Sequence, residues 1–359
     1  MCVVVLAAGE GTRMRSSRPK PLHHLCGRPM IQHVLDAAVR DEVKATVIVV
    51  GHGATWVEKS VLGRAEAGSK ITFVEQSEQL GTGHAVFVAI PALEEAIGSS
   101  DGDVLIMPGD TPLLRASTIT ELLDEHRDSG AALTVLTAIV DDPAGYGRVV
   151  YGRDSKVARI VEERDATSEE RAIHEINTSI MVVRQSLLGP ALRLVGRANS
   201  QNEYYLTDLV SVLYEAGHLT RTFHLDDPSE AAGVNDRDQL AGAERTLRNR
   251  INQQWMRRGV TMWDPESTYV DSDVELHRDV SLLPGTVLKG RCVIGEGSQV
   301  GPNAFLVDTV VGANATVGTV EAVNARIGDD ANVGSFCVIE AGVSVASGAR
   351  VAPHGHLTI

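Results

Sequence analysis

The C-terminal third of the chain carries an apolar residue at every sixth position, and glycine follows several of these residues. Helical periodicity is absent from about residue 265 onwards. A six-residue period is typical of a parallel β-helix, in which one residue of each short face points inwards. The alternative, a β-sandwich, would show a period of two. With a phase slip after the sixth, the repeat positions are Leu276, Leu282, Leu288, Ile294, Val300, Leu306, Ile327, Val333, Ile339, Val345 and Val351.

The N-terminal half instead alternates short apolar strands with amphipathic helices. Strands are predicted at 3–6, 45–50, 70–75 and 103–107, with helices at 30–39, near 54–63 and after Gly83. This alternation predicts an α/β doubly wound, Rossmann-like domain with a mainly parallel sheet. Ligands of such sheets bind beyond the carboxyl ends of the strands. One face of the first helix is predicted to contain Met30, Ile31, Val34, Leu35, Ala38 and Val39.

A charged segment at 237–258 separates the two patterns and is predicted to be a connecting helix. Its apolar stripe comprises Leu240, Leu247, Ile251 and Trp255. The resulting prediction is the α/β domain over 1–229, a connecting segment over 230–262 and a β-helix over 263–359. A length of 359 residues suits two domains.

Composition excludes several classes of protein. The net charge of −14 argues against broad nucleic-acid binding, which needs a basic surface. No apolar run approaches the ~20 residues of a membrane span, and the apolar N-terminus lacks the basic start of a signal peptide. The four cysteines form no CxxC pair and indicate reduced thiols in a cytoplasmic protein.

The segment LAAGEGTRM at 6–14 has the composition of an anion-binding loop. Gly9 and Gly11 allow the backbone to approach a ligand, and Arg13 and Lys20 add positive charge. Prolines on both sides of Lys20 stiffen the backbone there. The spacing matches neither GxGxxG nor a Walker motif. The alternative is a tight turn with exposed basic side chains.

Asp110 follows the strand DVLIM within the segment PGDTPLL. A carboxylate at the open end of a central strand can hold Mg²⁺ against substrate phosphates. The alternative is that Asp110 caps a helix beginning after Pro112. The basic loop upstream favours the metal site, because a phosphate site needs cations to offset its charge.

These motifs, together with EQLGTGHA (78–85), DDPAGYGRV (141–149), EINTS (175–179), EYYLTD (203–208) and GVNDR (233–237), resemble a known family over most of residues 3–345. The family is that of the bacterial bifunctional N-acetylglucosamine-1-phosphate uridylyltransferase / glucosamine-1-phosphate acetyltransferases. The resemblance implies a left-handed β-helix, a homotrimer, and Mg²⁺-dependent transfer from UTP to N-acetylglucosamine 1-phosphate.

The resemblance also implies roles for individual residues. Because the attacking phosphate oxygen is already anionic, no general base is needed, and His23, His24 and His84 are interpreted as packing or polar-loop residues. Ser179 stands where the family usually has Gly. The implied set is Arg13 and Lys20 for catalysis; Leu6, Ala7, Ala8, Gly9, Gly11, Gln76, Gly81 and Thr82 for the nucleotide; Gly147, Glu162, Asn177 and Thr207 for the sugar; and Asp110 and Asn235 for the metal.

The acetyltransferase half departs from the family's pattern. Glu340 stands at the position of an Arg that binds the sugar phosphate in the family, and a carboxylate there would repel phosphate. The segment 356–358 resembles a catalytic His-Leu-Thr-Tyr, but Ile359 replaces the Tyr and ends the given sequence. Acetyl transfer is therefore predicted to be absent, with the β-helix serving trimerisation.

Three other functions stay open at this point. The first is a nucleotidyltransferase for another hexose 1-phosphate or NTP. The second is a UDP-sugar-binding regulator without turnover, against which Arg13, Lys20, Asp110 and Asn235 all count. The third is an acetyl-CoA-dependent acyltransferase, which Glu340 makes improbable.

Overall fold

A computed structural model describes residues 1–40, 42–65, 69–97 and 101–359. The chain divides into two compact units, residues 1–23 with 29–240 and residues 24–28 with 241–359. The sequence-based domain limits at 229/230 and 262/263 stay a prediction. Within the described residues, no helix is both long enough and apolar enough to cross a bilayer.

The strands and helices predicted from the sequence are present, with bounds within one or two residues of those expected. The alternation is not complete, because three strands follow one another without an α-helix between them at 2–29 and again at 133–161. In chain order the elements up to residue 257 are β1 Cys2–Ala7, β2 His24–Leu25, β3 Arg28–Pro29, α1 Met30–Ala38, β4 Ala45–Val50, α2 Ala54–Leu62, β5 Ile71–Glu75, α3 Thr82–Ile97, β6 Asp103–Pro108, α4 Ala116–Ser129, β7 Leu133–Ile139, β8 Gly147–Tyr151, β9 Val157–Val161, α5 Ser168–Arg171, β10 Glu175–Arg184, α6 Gln185–Leu192, α7 Asp208–Glu215, β11 Thr220–His224 and α8 Arg237–Arg257.

The first unit is built on one sheet with the strand order β11-β7-β10-β6-β1-β4-β5, and β8 and β9 extend it through β10. Strand β1 runs parallel to both β4 and β6, which gives the predicted crossover topology. The α/β fold is thus confirmed. The sheet is nevertheless mixed, because β10 runs antiparallel to β6 and β7.

Both faces of the sheet are buried. Cys2 and Val4 of β1 belong to one apolar cluster, while Val3 and Val5 belong to another on the opposite face. Such burial on both faces explains why the central strands are continuous apolar runs. Helix α1 buries its expected face except for Val39, which follows the helix and is 68 % exposed.

Helix α8 confirms that the charged segment is helical, but its most buried positions, Ala243, Arg248 and Asn252, differ from the predicted stripe. Ile251 and Trp255 pack partly against the apolar cluster of the second unit. The Arg248 guanidinium lies 4.2 Å from the centre of the Tyr269 ring. Asn252 is 1 % exposed and donates hydrogen bonds to the carbonyls of Pro265 and Thr268, both 2.9 Å. Polar contacts therefore override the apolar pattern here.

The second unit is a parallel β-helix, consistent with the left-handed hexapeptide type. Its three sheets hold six, six and five strands, and every pairing between them is parallel. The strands are β12 Thr261–Met262, β13 Tyr269–Val270, β14 Glu275–Leu276, β15 Ser281–Leu282, β16 Val287–Lys289, β17 Val293–Ile294, β18 Gln299–Val300, β19 Phe305–Val307, β20 Val310–Val311, β21 Thr316–Val317, β22 Val320–Val323, β23 Arg326–Ile327, β24 Asn332–Val333, β25 Cys337–Ile339, β26 Ser344–Val345, β27 Arg350–Val351 and β28 His356–Leu357.

The repeat residues fill the interior of this helix, with Leu282, Leu288 and Ile294 each 0 % exposed. The phase slip has a structural counterpart: Leu306 pairs with Ala322, sixteen positions on, whereas Leu288 pairs with Leu306, eighteen positions on. Coils around the slip are therefore shorter, and their core positions remain apolar. The β-sandwich alternative is excluded.

Candidate active site

A cavity of about 530 Å³ opens beyond the carboxyl ends of β1 and β6 in the first unit. The Gly109 N–H donates to the Leu6 carbonyl (2.8 Å), which ties the two strand ends together. Fourteen of the sixteen predicted site residues line this cavity. They are Leu6, Ala7, Ala8, Gly9, Arg13, Lys20, Gln76, Gly81, Thr82, Asp110, Glu162, Asn177, Thr207 and Asn235.

The other two, Gly11 and Gly147, do not line the cavity but support residues that do. Gly11 has φ 63, and a Cβ there would lie 2.6 Å from Cβ of Lys20. A Cβ on Gly147 would lie 2.9 Å from a methyl group of Ile160 and 3.5 Å from the Glu162 carboxylate. Both positions thus need glycine so that a site residue can pack closely.

Two cations converge on two oxygen-bearing side chains in the cavity wall, a group that we call the cation end. Lys20 Nζ donates to the Asp110 carboxylate and, at 2.8 Å, to Asn235 Oδ1. Arg13 Nη2 donates to the same Asn235 oxygen at 2.9 Å. The chain therefore brings residues 13 and 20 against residues 110 and 235, as the sequence predicts.

The same contacts test whether a metal ion fits here. The Lys20 ammonium touches both the Asp110 and the Asn235 oxygens, so these two oxygens converge on one cation position. Carboxylate and amide oxygens are ligands that Mg²⁺ accepts, with substrate phosphates and water completing its shell. Among the described residues no group of three His, Cys, Asp or Glu side chains is placed to hold a metal. The residues fit an ion that arrives with phosphate.

The capping alternative for Asp110 is excluded. Helix α4 begins at Ala116, and its N-cap residue is Arg115. The Asp110 carbonyl instead accepts a hydrogen bond from the Val234 N–H (2.9 Å), which brings the 233–237 segment to the site.

A second group of contacts shapes the cavity beside α3. Gly81 has φ 107, and a Cβ there would lie 2.6 Å from the Tyr204 carbonyl. The Gln76 amide donates to the Gly81 carbonyl (3.0 Å) and lies 3.1 Å from His84 Nδ1. Thr82 Oγ1 accepts the Leu206 N–H at 3.0 Å. These bonds hold 76–82 against 204–206.

The three polar residues predicted for the sugar also line the cavity and, within the part of the chain that the structure describes, share no hydrogen bond with the cation end; we call this part of the wall the sugar end. Thr207 Oγ1 donates to Glu162 Oε1 at 2.9 Å. Burial raises the pKa of Glu162 above its usual value, although the Thr207 hydrogen bond lowers it, and Asp208 and Asp165 raise it further. Asn177 is 4 % exposed. Its Oδ1 accepts the Ser179 N–H at 3.0 Å.

Sequence reasoning missed several residues that line the cavity. Gln79 Nε2 donates to the Ala8 carbonyl (3.0 Å) and so braces the glycine-rich loop. Its place in the EQLGTG segment was the available signal. None of His23, His24 and His84 lines the cavity, in keeping with the packing or polar-loop interpretation. Further missed lining residues are Tyr146, Gln201, Glu203 and Tyr205.

Comparisons with known proteins identify related sequences. The model of the MobA-like NTP transferase domain matches residues 3–178. A bifunctional protein GlmU of Brevibacillus brevis is 43 % identical over 348 residues, which cover 97 % of this chain and 73 % of the relative. Proteins of the same name from Carboxydothermus hydrogenoformans and Shouchella clausii are each 42 % identical over 97 % of the chain, covering 75 % and 74 % of their own lengths.

Proposed function

Because this chain belongs to the family of the bifunctional GlmU proteins, we propose that it transfers the uridylyl group of UTP to N-acetylglucosamine 1-phosphate. The products are UDP-N-acetylglucosamine, a precursor for cell-wall synthesis, and pyrophosphate. The observation that carries the proposal is that one cavity is lined both by the cations Arg13 and Lys20 and by the polar residues Glu162, Asn177 and Thr207.

The reaction mainly requires that the two substrates be positioned and that their negative charge be neutralised. A phosphate oxygen of the sugar 1-phosphate attacks the α-phosphorus of UTP, the bond to the bridging oxygen breaks, and pyrophosphate leaves with that electron pair. The nucleophile is already an anion, so no proton must be removed. Aligning two mutually repelling polyanions is the main barrier, and fixed cations lower it.

Each end of the cavity has a distinct task. Arg13 and Lys20 would release Asn235 and Asp110 and bind phosphate oxygens instead, which frees both oxygens for a metal ion. The backbone at 8–11 would approach the triphosphate closely because Gly9 has open space where a Cβ would lie. Gln76, Gly81 and Thr82 would contact the uracil and ribose.

At the sugar end, the carboxylate of Glu162 would accept a hydrogen bond from the acetamido N–H. Thr207 already occupies its Oε1, which leaves Oε2 for the sugar. The Asn177 amide can donate to a hexose hydroxyl while its oxygen holds the Ser179 N–H. These neutral and anionic groups suit an N-acetyl sugar better than a second phosphate.

A divalent metal ion is a general requirement of this family. We propose that the ion is Mg²⁺, held by Asp110 and Asn235. When bound, it would reduce the negative charge of the phosphate oxygens that meet at the α-phosphorus.

A pyrophosphate-release assay across UTP, CTP, ATP and dTTP, each with a panel of hexose 1-phosphates, tests this function. The pair UTP and N-acetylglucosamine 1-phosphate should give the highest kcat/KM, and turnover should stop when EDTA removes the metal. A preference for another pair would assign a different nucleotidyltransferase. Binding of UDP-N-acetylglucosamine without pyrophosphate release would favour the regulatory alternative.

We also propose that acetyl transfer to glucosamine 1-phosphate is absent. Glu340, at the position expected for a phosphate-binding Arg, lies beside His356, with 2.8 Å between Oε1 and Nε2. A carboxylate at this point would repel the sugar phosphate. Thiol release from acetyl-CoA in the presence of glucosamine 1-phosphate would contradict this proposal.

The β-helix supports a homotrimer, which we propose on the resemblance and on one apolar face. The sheet that contains β13, β16 and β19 presents Tyr269, Val287, Phe305, Glu321, Val338 and His356 outwards in register, and four of these six residues are apolar or aromatic. The face that contains β12 is polar instead, with Thr261, Ser281, Gln299, Thr316, Asn332 and Arg350 outwards.

Sedimentation equilibrium tests the trimer and its interface together. The unmodified protein should sediment as three chains, Phe305→Asp should dissociate it, and the control Gln299→Asp on the polar face should not. A single-chain mass for the unmodified protein would rule the trimer out.

A cytoplasmic location is proposed on the state of the cysteines. All four are free and buried, and none forms a disulfide. Free thiols are the rule in reducing compartments.

A further inference from the structure

One residue in the cavity wall has a backbone conformation that its type disfavours. Ser179 has φ 64, in the left-handed region. Among the non-glycine residues with positive φ that the structure describes, it alone lies inside a β-strand, β10. The left-handed region is unfavourable for residues with a Cβ, and glycine takes it at lower cost. The strand therefore carries local strain at this position.

The neighbours of Ser179 force this conformation. The pairing of β10 with β7 shifts register between Asn177 and Met181, so the strand bulges there. Asn177 Oδ1 accepts the Ser179 N–H at 3.0 Å. The preceding residue is also fixed: Thr178 Oγ1 donates to the Leu136 carbonyl (2.7 Å) and accepts the Ile180 N–H (3.3 Å). Bulges of this kind commonly redirect a side chain.

The result of the bulge is an exposed side chain in an otherwise covered strand. Ser179 is the one exposed residue of β10, and it lines the cavity. No hydrogen bond to the Ser179 hydroxyl is formed within the described residues. The hydroxyl lies two residues from Asn177 and shares the cavity with Glu162 and Thr207. A free donor and acceptor is thus available at the sugar end.

We infer that the Ser179 hydroxyl forms a hydrogen bond with the hexose of the bound sugar phosphate and contributes to sugar specificity. Strained residues at a ligand site persist when the geometry serves binding. This inference rests on the proposed function, since it names a contact within the same site. Ser179 would act as a specificity-determining residue and would take no part in bond making or breaking.

Two substitutions separate the hydroxyl from the strain. Ser179→Ala removes the hydroxyl and keeps the Cβ, so its melting temperature should stay near that of the unmodified protein. Ser179→Gly removes both and should melt at a higher temperature, because glycine relieves the strain. The control is Ser155→Gly: Ser155 also has a positive φ (61) and is exposed, but it lies in a turn outside the cavity.

Isothermal titration calorimetry with UDP-N-acetylglucosamine and with UDP provides the binding readout. Ser179→Ala and Ser179→Gly should each weaken UDP-N-acetylglucosamine binding about three- to tenfold, the size of one lost hydrogen bond. Binding of UDP, which has no hexose, should be unchanged, and Ser155→Gly should bind both ligands like the unmodified protein. The KM for N-acetylglucosamine 1-phosphate should rise by the same factor.

Equal affinity of Ser179→Ala and the unmodified protein for UDP-N-acetylglucosamine would overturn the inference, and so would equal weakening for UDP. Failure of the proposed function looks different. In that case the unmodified protein would release no pyrophosphate from UTP, whereas the calorimetric comparison would still decide whether Ser179 contacts the hexose.

Discussion

The two ends of the cavity, for which we propose nucleotide binding and sugar binding, differ in the chemical groups that they present. The cation end uses backbone and cations: open space at Gly9, with Arg13 and Lys20 already paired to Asn235 and Asp110. The sugar end presents the half-buried carboxylate of Glu162, an amide and hydroxyl groups. On this proposal, charge is concentrated where the α-phosphorus would lie, and hydrogen bonding would select the sugar phosphate. Substitutions at the first end should therefore reduce kcat, and those at the second should raise the KM of the sugar.

The largest effect is expected from Asp110→Asn. The substitution keeps the shape of the side chain but removes the charge that pairs with Lys20 and would hold the metal. We expect kcat to fall about a thousandfold, the scale seen when a group that stabilises transition-state charge is lost. Pyrophosphate release measures this. Asp128→Asn, on the exposed face of α4, is the control, and turnover within tenfold of normal for Asp110→Asn would refute the metal assignment.

An intermediate effect is expected from Asn177. Replacement by Asp keeps an oxygen for the Ser179 N–H but removes the amide donor, so the bulge should persist while one sugar contact is lost. The KM of N-acetylglucosamine 1-phosphate should rise about tenfold or more, and the KM of UTP should not change. Asn332→Asp on the β-helix is the control. A loss confined to kcat would place Asn177 outside the sugar-binding end.

The smallest effect concerns the protonation of Glu162. Because burial raises its pKa, the folded protein binds this proton more tightly than the unfolded chain does. Ionisation then costs stability as pH rises, so Glu162→Gln should raise the melting temperature at neutral pH, and the gain should vanish at acid pH. Calorimetry at several pH values measures the difference.

Glu162→Gln also tests sugar binding, which it should weaken although it stabilises the protein. Glu162→Gln should raise the KM for the sugar phosphate several-fold at neutral pH while the protein becomes more stable. In the unmodified protein this KM should rise as pH falls through the elevated pKa. Glu162→Gln with unchanged KM would show that the carboxylate does not touch the acetamido group.

Much of the fold follows from local pattern. The apolar runs at 45–50 and 103–107 predict β4 and β6 because strands buried on both faces must be continuously apolar. The six-residue repeat predicts the β-helix for a similar reason. The antiparallel direction of β10 could not be predicted, because the apolar pattern of a buried strand does not depend on the direction in which the strand runs. Asn252 is buried because it donates hydrogen bonds to the carbonyls of Pro265 and Thr268. These carbonyls lie outside α8, so the sequence pattern of the helix could not predict the burial.

The site residues also fall into those that the sequence could predict and those that it could not. Residues in short motifs, such as Gly9, Arg13 and Asp110, could be proposed from the sequence because type and spacing carry the chemistry. Gln79 and Tyr205 could not, since their place in the wall depends on how distant segments fold together. The sequence offered a substitution at Ser179, where the family usually has glycine. It could not show the left-handed geometry or the bulge that produces it.

A crystal structure with UDP-N-acetylglucosamine and Mg²⁺ tests the division of the cavity most directly. We predict the diphosphate near Arg13 and Lys20, the uracil beside Gln76 and Gly81, and the N-acetyl hexose against Glu162, Asn177 and Thr207. A ligand bound with its hexose among the cations, or bound elsewhere with this cavity free of ligand, would contradict the account.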